Sequence, residues 1–269
     1  MKTFIFSILR RLYYFINNLY FNYFLNLKNN LKIKNKKKDF VNFFNKKIEI
    51  YKRDNPEFYE DIDLYKFKKI SIYTGIDLPE SGDFSFGAFL HHTLQEYLKN
   101  FNDELTVFEI GTAKGFSALC FALALQKYPY SSKIITIDVI SSHKRFYQKT
   151  FHTNLKISRK EIMRKIDPKL LNKIFFLQAD SLSDLSKTFI NRINFCFIDG
   201  EHNKKFLTNE LNFVKNFQQK GDLILVDDCD KKLFPEVYDT VSQFINDNPY
   251  TYLVSKHYKT HRISVLIKK

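Results

Sequence analysis

VFEIGTAKGFS, residues 107–117, places an apolar run, an acid and two glycines within one short stretch. Its first half is typical of a buried parallel strand, and the small and apolar run at 118–125 that follows predicts a helix. Gly111 and Gly115 bracket a turn, and a residue without a side chain lets the backbone turn sharply and approach a ligand. The stretch therefore predicts the first strand, turn and helix of a nucleotide-binding type of α/β domain.

The glycine spacing narrows the class of ligand. A dinucleotide site needs G-x-G-x-x-G and a phosphate-binding loop needs G-x-x-x-x-G-K-[ST], and this turn matches neither pattern. Its pattern, Glu109-x-Gly111-x-x-x-Gly115, resembles the first motif of class I S-adenosylmethionine-dependent methyltransferases. A glycine turn in some other α/β fold is the alternative. The resemblance implies cofactor contacts for Glu109, Gly111, Thr112, Gly115 and Ser117.

Two further strands are predicted to end beside the same cofactor. KIITID, residues 133–138, ends in Asp138, which could accept both ribose hydroxyls of an adenosyl group or could cap a following helix. IFFLQADSL, residues 174–182, is a third strand followed by Ala179 and Asp180. The methyltransferase resemblance implies that this pair borders the adenine and that Asp180 accepts from its amino group. An N-cap is the alternative role for Asp180.

The remaining parallel strands end in acids. INFCFIDGEHNKKFLTNE predicts a buried strand ending at Asp199, then a turn with His202 and a helix, and GDLILVDD predicts a strand ending in Asp227 and Asp228. Carboxyl ends of neighbouring parallel strands meet at one edge of a sheet, so these three acids should converge. Carboxylates this close raise one another's pKa unless a cation lies among them, and hard oxygen ligands suit Mg²⁺ better than Zn²⁺.

This arrangement resembles the metal-dependent O-methyltransferases. It is most similar to a branch that has I-D-G-[DE]-H at the fourth strand and D-D at the end of the fifth, and that branch includes sugar-modifying enzymes. The resemblance covers about residues 104–228 and does not extend to 1–70. It implies that the three acids bind the metal and that His202 acts as the catalytic base.

The predicted reaction follows from these groups. The methyl group of S-adenosyl-L-methionine is already activated, so the protein must align a hydroxyl with the C–S bond and remove its proton. A metal-bound hydroxyl loses its proton more readily, and His202, with an ordinary pKa of about 6.5, could take that proton near neutral pH. A turn residue that caps the next helix is the alternative role for His202. We predict an O-methyltransferase, Mg²⁺-dependent, that acts on a hydroxyl of a sugar or glycan precursor.

Two other functions stay open on the sequence. One is a metal-independent methyltransferase of small molecules or lipids, and the other is a non-catalytic binding protein with a degenerate methyltransferase fold. The long basic connection at 141–172 favours an anionic acceptor such as a nucleotide-linked sugar, although a solvated basic helix is the alternative. Nucleic acid is disfavoured because the excess charge is rich in lysine and lies outside the sheet domain. A homo-oligomer is compatible with the sequence.

The fold class predicted is α/β, a Rossmann-like class I methyltransferase with a seven-stranded, mostly parallel sheet. TYLVSKHY and RISVLIKK, near the C-terminus, predict an antiparallel hairpin that completes this sheet. Three regions are expected: a basic, aromatic-rich helical extension at 1–50, a linker that covers the active-site mouth at 51–85, and the S-adenosylmethionine-binding domain at 86–269.

Much of the net charge of +14 lies in the extension, because residues 1–60 hold 13 Lys and Arg against 5 acids. Arg10 and Arg11 interrupt the apolar opening before it reaches a membrane-spanning length, and no signal-peptide cleavage site follows. Residues 1–40 are therefore predicted either to contact a membrane peripherally or to dock on the catalytic domain or a second subunit. Three cysteines without a pairing motif favour a reducing compartment, so a cytoplasmic location is expected.

Overall fold

A computed structural model of the chain describes residues 44–74, 85–101, 103–128, 131–147, 156–257 and 262–269. Nearly all of the predicted extension at 1–50, including its membrane contact, lies outside the described residues. The helices are α1 (residues 44–54), α2 (Leu64–Thr74), α3 (Ser85–Lys99), α4 (Phe116–Ala124), α5 (Arg159–Ile166), α6 (Pro168–Leu171), α7 (Lys204–Lys215) and α8 (Pro235–Asp247). The strands are β1 (Thr106–Ile110), β2 (Lys133–Asp138), β3 (Phe146–Tyr147), β4 (Lys156–Ile157), β5 (Ile174–Gln178), β6 (Phe195–Ile198), β7 (Leu223–Val226), β8 (Tyr250–His257) and β9 (Arg262–Lys268).

Seven strands form one sheet in the order β5-β2-β1-β6-β7-β9-β8. The first five are parallel, and β9 runs antiparallel to both β7 and β8. Parallel neighbours need crossover connections, which here contain the helices that cover the sheet. The predicted seven-stranded, mostly parallel sheet with a C-terminal antiparallel hairpin is confirmed.

The sheet separates two hydrophobic cores, and β1 contributes to both. Val107 packs into the core that contains α3 and α4, whereas Phe108 and Ile110 pack into the core that contains α7 and α8. Successive strand residues point to opposite faces, and helices cover both faces here, so the strand is buried throughout and apolar except at Thr106 and Glu109. Cys120 belongs to the first core.

The structure differs from the predicted linker at 51–85 in the part that it describes. α2 lies within that range, and its buried residues include Phe67 and Ile70, neither of which has any exposed surface. Phe58, in the preceding turn of 3₁₀-helix, packs against Phe89 of α3 with ring centroids 5.5 Å apart. Residues 51–74 are therefore part of the domain core, because they bury aromatic surface that α3 and α4 would otherwise expose.

The long connection between β2 and β5 contains further secondary structure in the part that the structure describes. Its described residues include the short β3–β4 pair, α5 and α6. α5 begins with a capping box in which Ser158 and Glu161 satisfy each other's backbone N–H groups. Lys66 of α2 lies 3.4 Å from Asp167, which joins α5 to α6. At these residues the connection packs against the rest of the domain.

Among the helices that the structure describes, none is both long enough and apolar enough to cross a bilayer.

Candidate active site

A cavity of about 380 Å³ opens at the carboxyl ends of β1, β2, β5 and β6. Four predicted site residues line it, one from each strand end: Gly111, Asp138, Ala179 and Asp199. Open α/β sheets bind ligands in such a crevice because the connections on its two sides diverge there. The structure therefore brings the central part of the predicted site together in one place.

The turn after β1 depends on its two glycines. Gly111 has φ +96°, and a Cβ atom on it would lie 1.9 Å from the backbone oxygen of Asp199. Gly115 has φ +87°, and a Cβ there would lie 1.7 Å from Cε of Met163 on α5. Both positions have a left-handed backbone that favours glycine, and at Gly111 the close neighbour is backbone, which leaves no room for a side chain. This geometry places the turn against β6 on one side and α5 on the other.

Glu109 supports the turn from inside the protein and is not among the residues that line the cavity. Its carboxyl group has no exposed surface and accepts hydrogen bonds from the hydroxyls of Thr136 and Ser117. Thr112 joins the network, with its Oγ1 2.6 Å from Oγ1 of Thr136. Burial raises the pKa of Glu109 to about 7, although the hydroxyls and the charge of Arg159 oppose the shift. The side chains of Glu109, Thr112 and Ser117 thus stabilise the cavity wall from the protein interior.

Asp138 lies at the cavity with several of its acceptor positions already in use. Its Oδ2 accepts from the backbone N–H of Ala113 at 3.0 Å and from Nη2 of Arg159 at 2.8 Å. Its Oδ1 accepts from the N–H of Ile140 at 2.8 Å. Sequence reasoning missed Arg159, although the capping-box pattern Ser158-x-x-Glu161 could have placed it at the first position of a helix.

Ala179 and Asp180, the two residues predicted to border the adenine, have different roles in the structure. Ala179 lines the cavity, and its N–H donates to the backbone oxygen of Asp138 at 3.1 Å. Asp180 is buried, and its Oδ1 accepts from the N–H of Leu182 at 2.9 Å. The carboxyl of Asp180 therefore supports a local turn, and Ser181 lines the cavity.

His202 lies between two of the predicted metal ligands. Its Nδ1 is 3.3 Å from Oδ2 of Asp228, and its Nε2 is 3.6 Å from Oδ1 of Asp199. Burial disfavours the charged imidazole, but the hydrogen bond with Asp199 and the charges of Asp228, Asp199 and Asp227 together raise its pKa above 6.5. Burial and the charge of Asp227 raise the pKa of Asp199 to about 7, while His202 acts in the opposite direction. The ring of Phe234 packs against His202 with centroids 5.3 Å apart.

The predicted metal site was tested against this geometry. The three acids supply oxygen atoms of the kind that Mg²⁺ prefers, but among the described residues no group of three or more His, Cys, Asp or Glu is arranged to hold a metal ion. Asp227 is buried, and Asp228 has φ +53°, a backbone conformation that directs its side chain toward His202. As they stand, these carboxylates surround an imidazole and do not form a metal cage.

Besides Arg159, a second cation that the sequence did not single out as functional borders the cavity. Lys114 lies in the glycine turn among the lining residues, and burial lowers its pKa to about 8. A separate depression of about 650 Å³ lies outside this cavity, where His143, Lys160 and Arg164 are among the lining residues. The described basic residues of the 141–172 connection are thus divided, because Arg159 lines the cavity with Asp199 whereas His143, Lys160 and Arg164 line the separate depression.

The chain matches a family model over part of its length and is similar in sequence to one known protein. Residues 108–229 match a family model described as a methyltransferase domain. This span contains every predicted site residue and covers a little under half of the chain. An uncharacterized protein of Acanthamoeba polyphaga mimivirus is 25% identical over 167 residues, which is 60% of this chain and 71% of that protein.

Three solved structures are similar over most of the chain, each at 14% sequence identity. An O-methyltransferase from Bacillus cereus in complex with SAH has a TM-score of 0.53 and covers 82% of this chain and 97% of its own. TomG from Streptomyces achromogenes, in complex with SAM, has a TM-score of 0.54 and covers 78% and 92%. The O-methyltransferase NovP has a TM-score of 0.56 and covers 77% and 98%. At this identity the likeness concerns the fold, and it confirms the predicted Rossmann-like class.

Proposed function

We propose that this chain is an S-adenosylmethionine-dependent methyltransferase and that it methylates a hydroxyl oxygen of a small molecule, with a sugar or nucleotide-linked sugar as the favoured acceptor. Similar structures named as O-methyltransferases support an oxygen acceptor, and one of them is described as acting in tomaymycin synthesis, which supports a small molecule. The I-D-G-[DE]-H and D-D motifs support the sugar.

The observation that carries the proposal is the contact between Asp199 and His202. Asp199 lines the cavity, and His202 stands 3.6 Å from it with about a third of its side chain exposed. A proton acceptor therefore lies beside the place where the methyl donor binds, as methyl transfer to a hydroxyl requires. A protein that only bound the cofactor would have no chemical need of an imidazole here.

The residues divide the work as follows. Asp138 and Ala179 hold the adenosyl end, and the bare backbone at Gly111 lets the cofactor approach the sheet. When bound, S-adenosyl-L-methionine supplies a methyl group that its sulfonium sulfur has already activated. Asp228 holds Nδ1 of His202, so the more loosely contacted Nε2 is the nitrogen that accepts the hydroxyl proton.

Whether methyl transfer depends on Mg²⁺ is a separate question from whether it occurs. The sequence predicts Mg²⁺ held by Asp199, Asp227 and Asp228, whereas the imidazole between two of these acids favours the metal-independent alternative. No step above passes through a metal. Methyl transfer that is lost in excess EDTA and restored by added Mg²⁺ supports the metal site, and full activity in EDTA would assign these carboxylates to His202 and the acceptor.

The experiment that tests the function uses the full chain. Calorimetry measures binding of S-adenosylhomocysteine, and methyl transfer from labelled S-adenosylmethionine is then measured over a panel of nucleotide sugars, free sugars, phenols and lipids. We expect cofactor binding and transfer to a sugar hydroxyl. Transfer only to lipids or phenols would replace the acceptor class, and cofactor binding without transfer to any acceptor in the panel would favour the non-catalytic binding protein.

The cellular setting proposed for this reaction is the cytoplasm. Its support is the cysteine usage, because Cys120, Cys196 and Cys229 are buried and unpaired in the described core, as expected of a protein from a reducing compartment. Peripheral membrane contact through residues 1–40 and a homo-oligomer remain parts of the same proposal.

A further inference from the structure

Arg159 is a buried cation that connects three sides of the cofactor cavity. It is the first residue of α5, and only 2% of its surface is exposed. Its Nε donates to the backbone oxygen of Ala113, its Nη1 to the oxygen of Ile140 at 3.1 Å, and its Nη2 to Oδ2 of Asp138 at 2.8 Å. Ala113, Asp138 and Ile140 all line the cavity.

These contacts limit what Asp138 can still bind. A carboxylate has about four lone-pair positions for hydrogen bonds, two on each oxygen. Oδ2 uses both of its positions, for Ala113 and Arg159, and Oδ1 uses one, for Ile140. One position on Oδ1 is left for a ligand. This differs from the expectation that Asp138 accepts both hydroxyls of a ribose.

We propose that Arg159 is a positioning residue for the cofactor, which fixes the Asp138 carboxylate so that Oδ1 accepts a single ribose hydroxyl. The inference rests on the proposed use of S-adenosylmethionine and deepens it. The planar guanidinium suits the task because its donors are fixed in direction and reach the turn after β1, the end of β2 and the carboxylate at once. A lysine has one nitrogen and could not reach all three acceptors.

The first test needs no variant. The affinity of the wild-type chain is measured by calorimetry for S-adenosylhomocysteine and for its 2′-deoxy and 3′-deoxy forms. We expect one deoxy form to bind about 10- to 100-fold more weakly, the range for losing a hydrogen bond to a charged group, and the other to bind within a few fold of the parent. Large and equal losses for both forms would show that Asp138 accepts both hydroxyls and would overturn the inference.

The second test compares two conservative variants on the same helix. Arg159→Lys keeps the charge but loses the fork, whereas Arg164→Lys makes the same change at an exposed position. We expect Arg159→Lys to raise KM for S-adenosylmethionine about tenfold or more, with kcat and the KM for the acceptor little changed, and to reduce the discrimination between the two deoxy forms. Arg164→Lys should match the wild type.

The outcomes separate this inference from the proposed function. A wild-type chain that binds no S-adenosylhomocysteine would remove the cofactor itself, and the role of Arg159 with it. A second outcome is that the wild-type chain binds the cofactor but Arg159→Lys changes neither KM nor the discrimination between the two deoxy forms. The methyltransferase function would then stand, and Arg159 would only form a structural ion pair. A fall in kcat together with a fall in thermal stability, with KM for S-adenosylmethionine unchanged, would also indicate a structural role for Arg159.

Discussion

The protonation of the buried Glu109 side chain is tied to folding. Its carboxyl group has no exposed surface, and burial raises its pKa from 4.5 to about 7. Because the folded state holds the proton more tightly than the unfolded chain, its contribution to stability is lost as the pH rises from about 4.5 to about 7. The shift corresponds to about 3 kcal/mol in the free energy of unfolding.

Replacing this group with an amide should remove that dependence. We expect Glu109→Gln to gain about 3 kcal/mol in unfolding free energy relative to the wild type between pH 4.5 and pH 8, because glutamine does not ionise. Urea denaturation at the two pH values measures the difference, with the exposed Glu104→Gln as the control. A difference between Glu109→Gln and wild type that is the same at both pH values would show that folding does not shift the pKa of the Glu109 carboxyl.

His202 gives the residue-scale test of the chemistry. His202→Ala should lower turnover by about 10²–10⁴-fold, because general base catalysis contributes that much, while the affinity for S-adenosylhomocysteine should change little. His143→Ala is the matched control, since that imidazole is exposed and outside the cavity. Unaltered turnover in His202→Ala would remove this residue from the mechanism and leave it as a residue of the turn, since Asn203 caps the helix that follows.

At the scale of elements, the turn between β1 and α4 is the piece on which the cavity depends. Gly111 and Gly221 have nearly the same backbone conformation, with φ +96° and +91°, but different surroundings. A Cβ on Gly111 would meet the backbone of Asp199, and a Cβ on Gly221 would meet nothing within 4 Å. A comparison of substitutions at Gly111 and Gly221 therefore separates the cost of backbone strain from the cost of a clash between two strand ends.

The two alanine variants should therefore differ. Gly221→Ala should cost about 1–2 kcal/mol, the strain of a left-handed conformation. Gly111→Ala should cost about 1–3 kcal/mol more, because the added methyl group displaces the end of β6, and it should also weaken binding of S-adenosylhomocysteine. Denaturation and calorimetry measure both effects. Equal costs and normal binding would mean that the crevice tolerates a side chain at this position.

The elements also show why part of the domain escaped prediction. The buried residues of α2 include Phe67, Ile70, Ser71 and Thr74, which follow helical spacing, but two of the four are polar. Lysines at 66, 68 and 69 surround them, so the segment lacks the continuous apolar stripe that marks a core helix. Two buried hydroxyls donate to carbonyls one turn earlier in α2, which allows polar residues on its packed face.

At the scale of the whole molecule, the sheet was more predictable than the site. Most of the parallel strands are short, largely apolar runs with an acid or a glycine at or directly after the last residue, so their positions and ends could be found from the sequence. The ion pair of Asp138 and Arg159 could not, because it depends on how α5 returns to the sheet across 21 residues of chain. The placement of Glu109 behind the cavity likewise requires knowing which face of β1 each helix covers.

The uneven charge of the molecule leads to a prediction about membranes. The full chain should float with vesicles that contain phosphatidylserine, and a chain lacking residues 1–40 should not, because residues 1–60 hold 13 of the 43 Lys and Arg but only 5 acids. High salt should release the full chain. Equal flotation of both chains would end the membrane reading and favour docking of the extension on protein.

The position of β9 has a consequence for synthesis. β9 follows β8 in the chain but lies between β7 and β8 in the sheet. While a ribosome has made only the residues up to β8, the nascent sheet therefore ends at β7, with a row of unsatisfied backbone groups along an apolar strand. Such an edge is prone to pairing with other chains, so the newly made protein is most exposed to aggregation, and has most need of a chaperone, in the interval before β9 emerges.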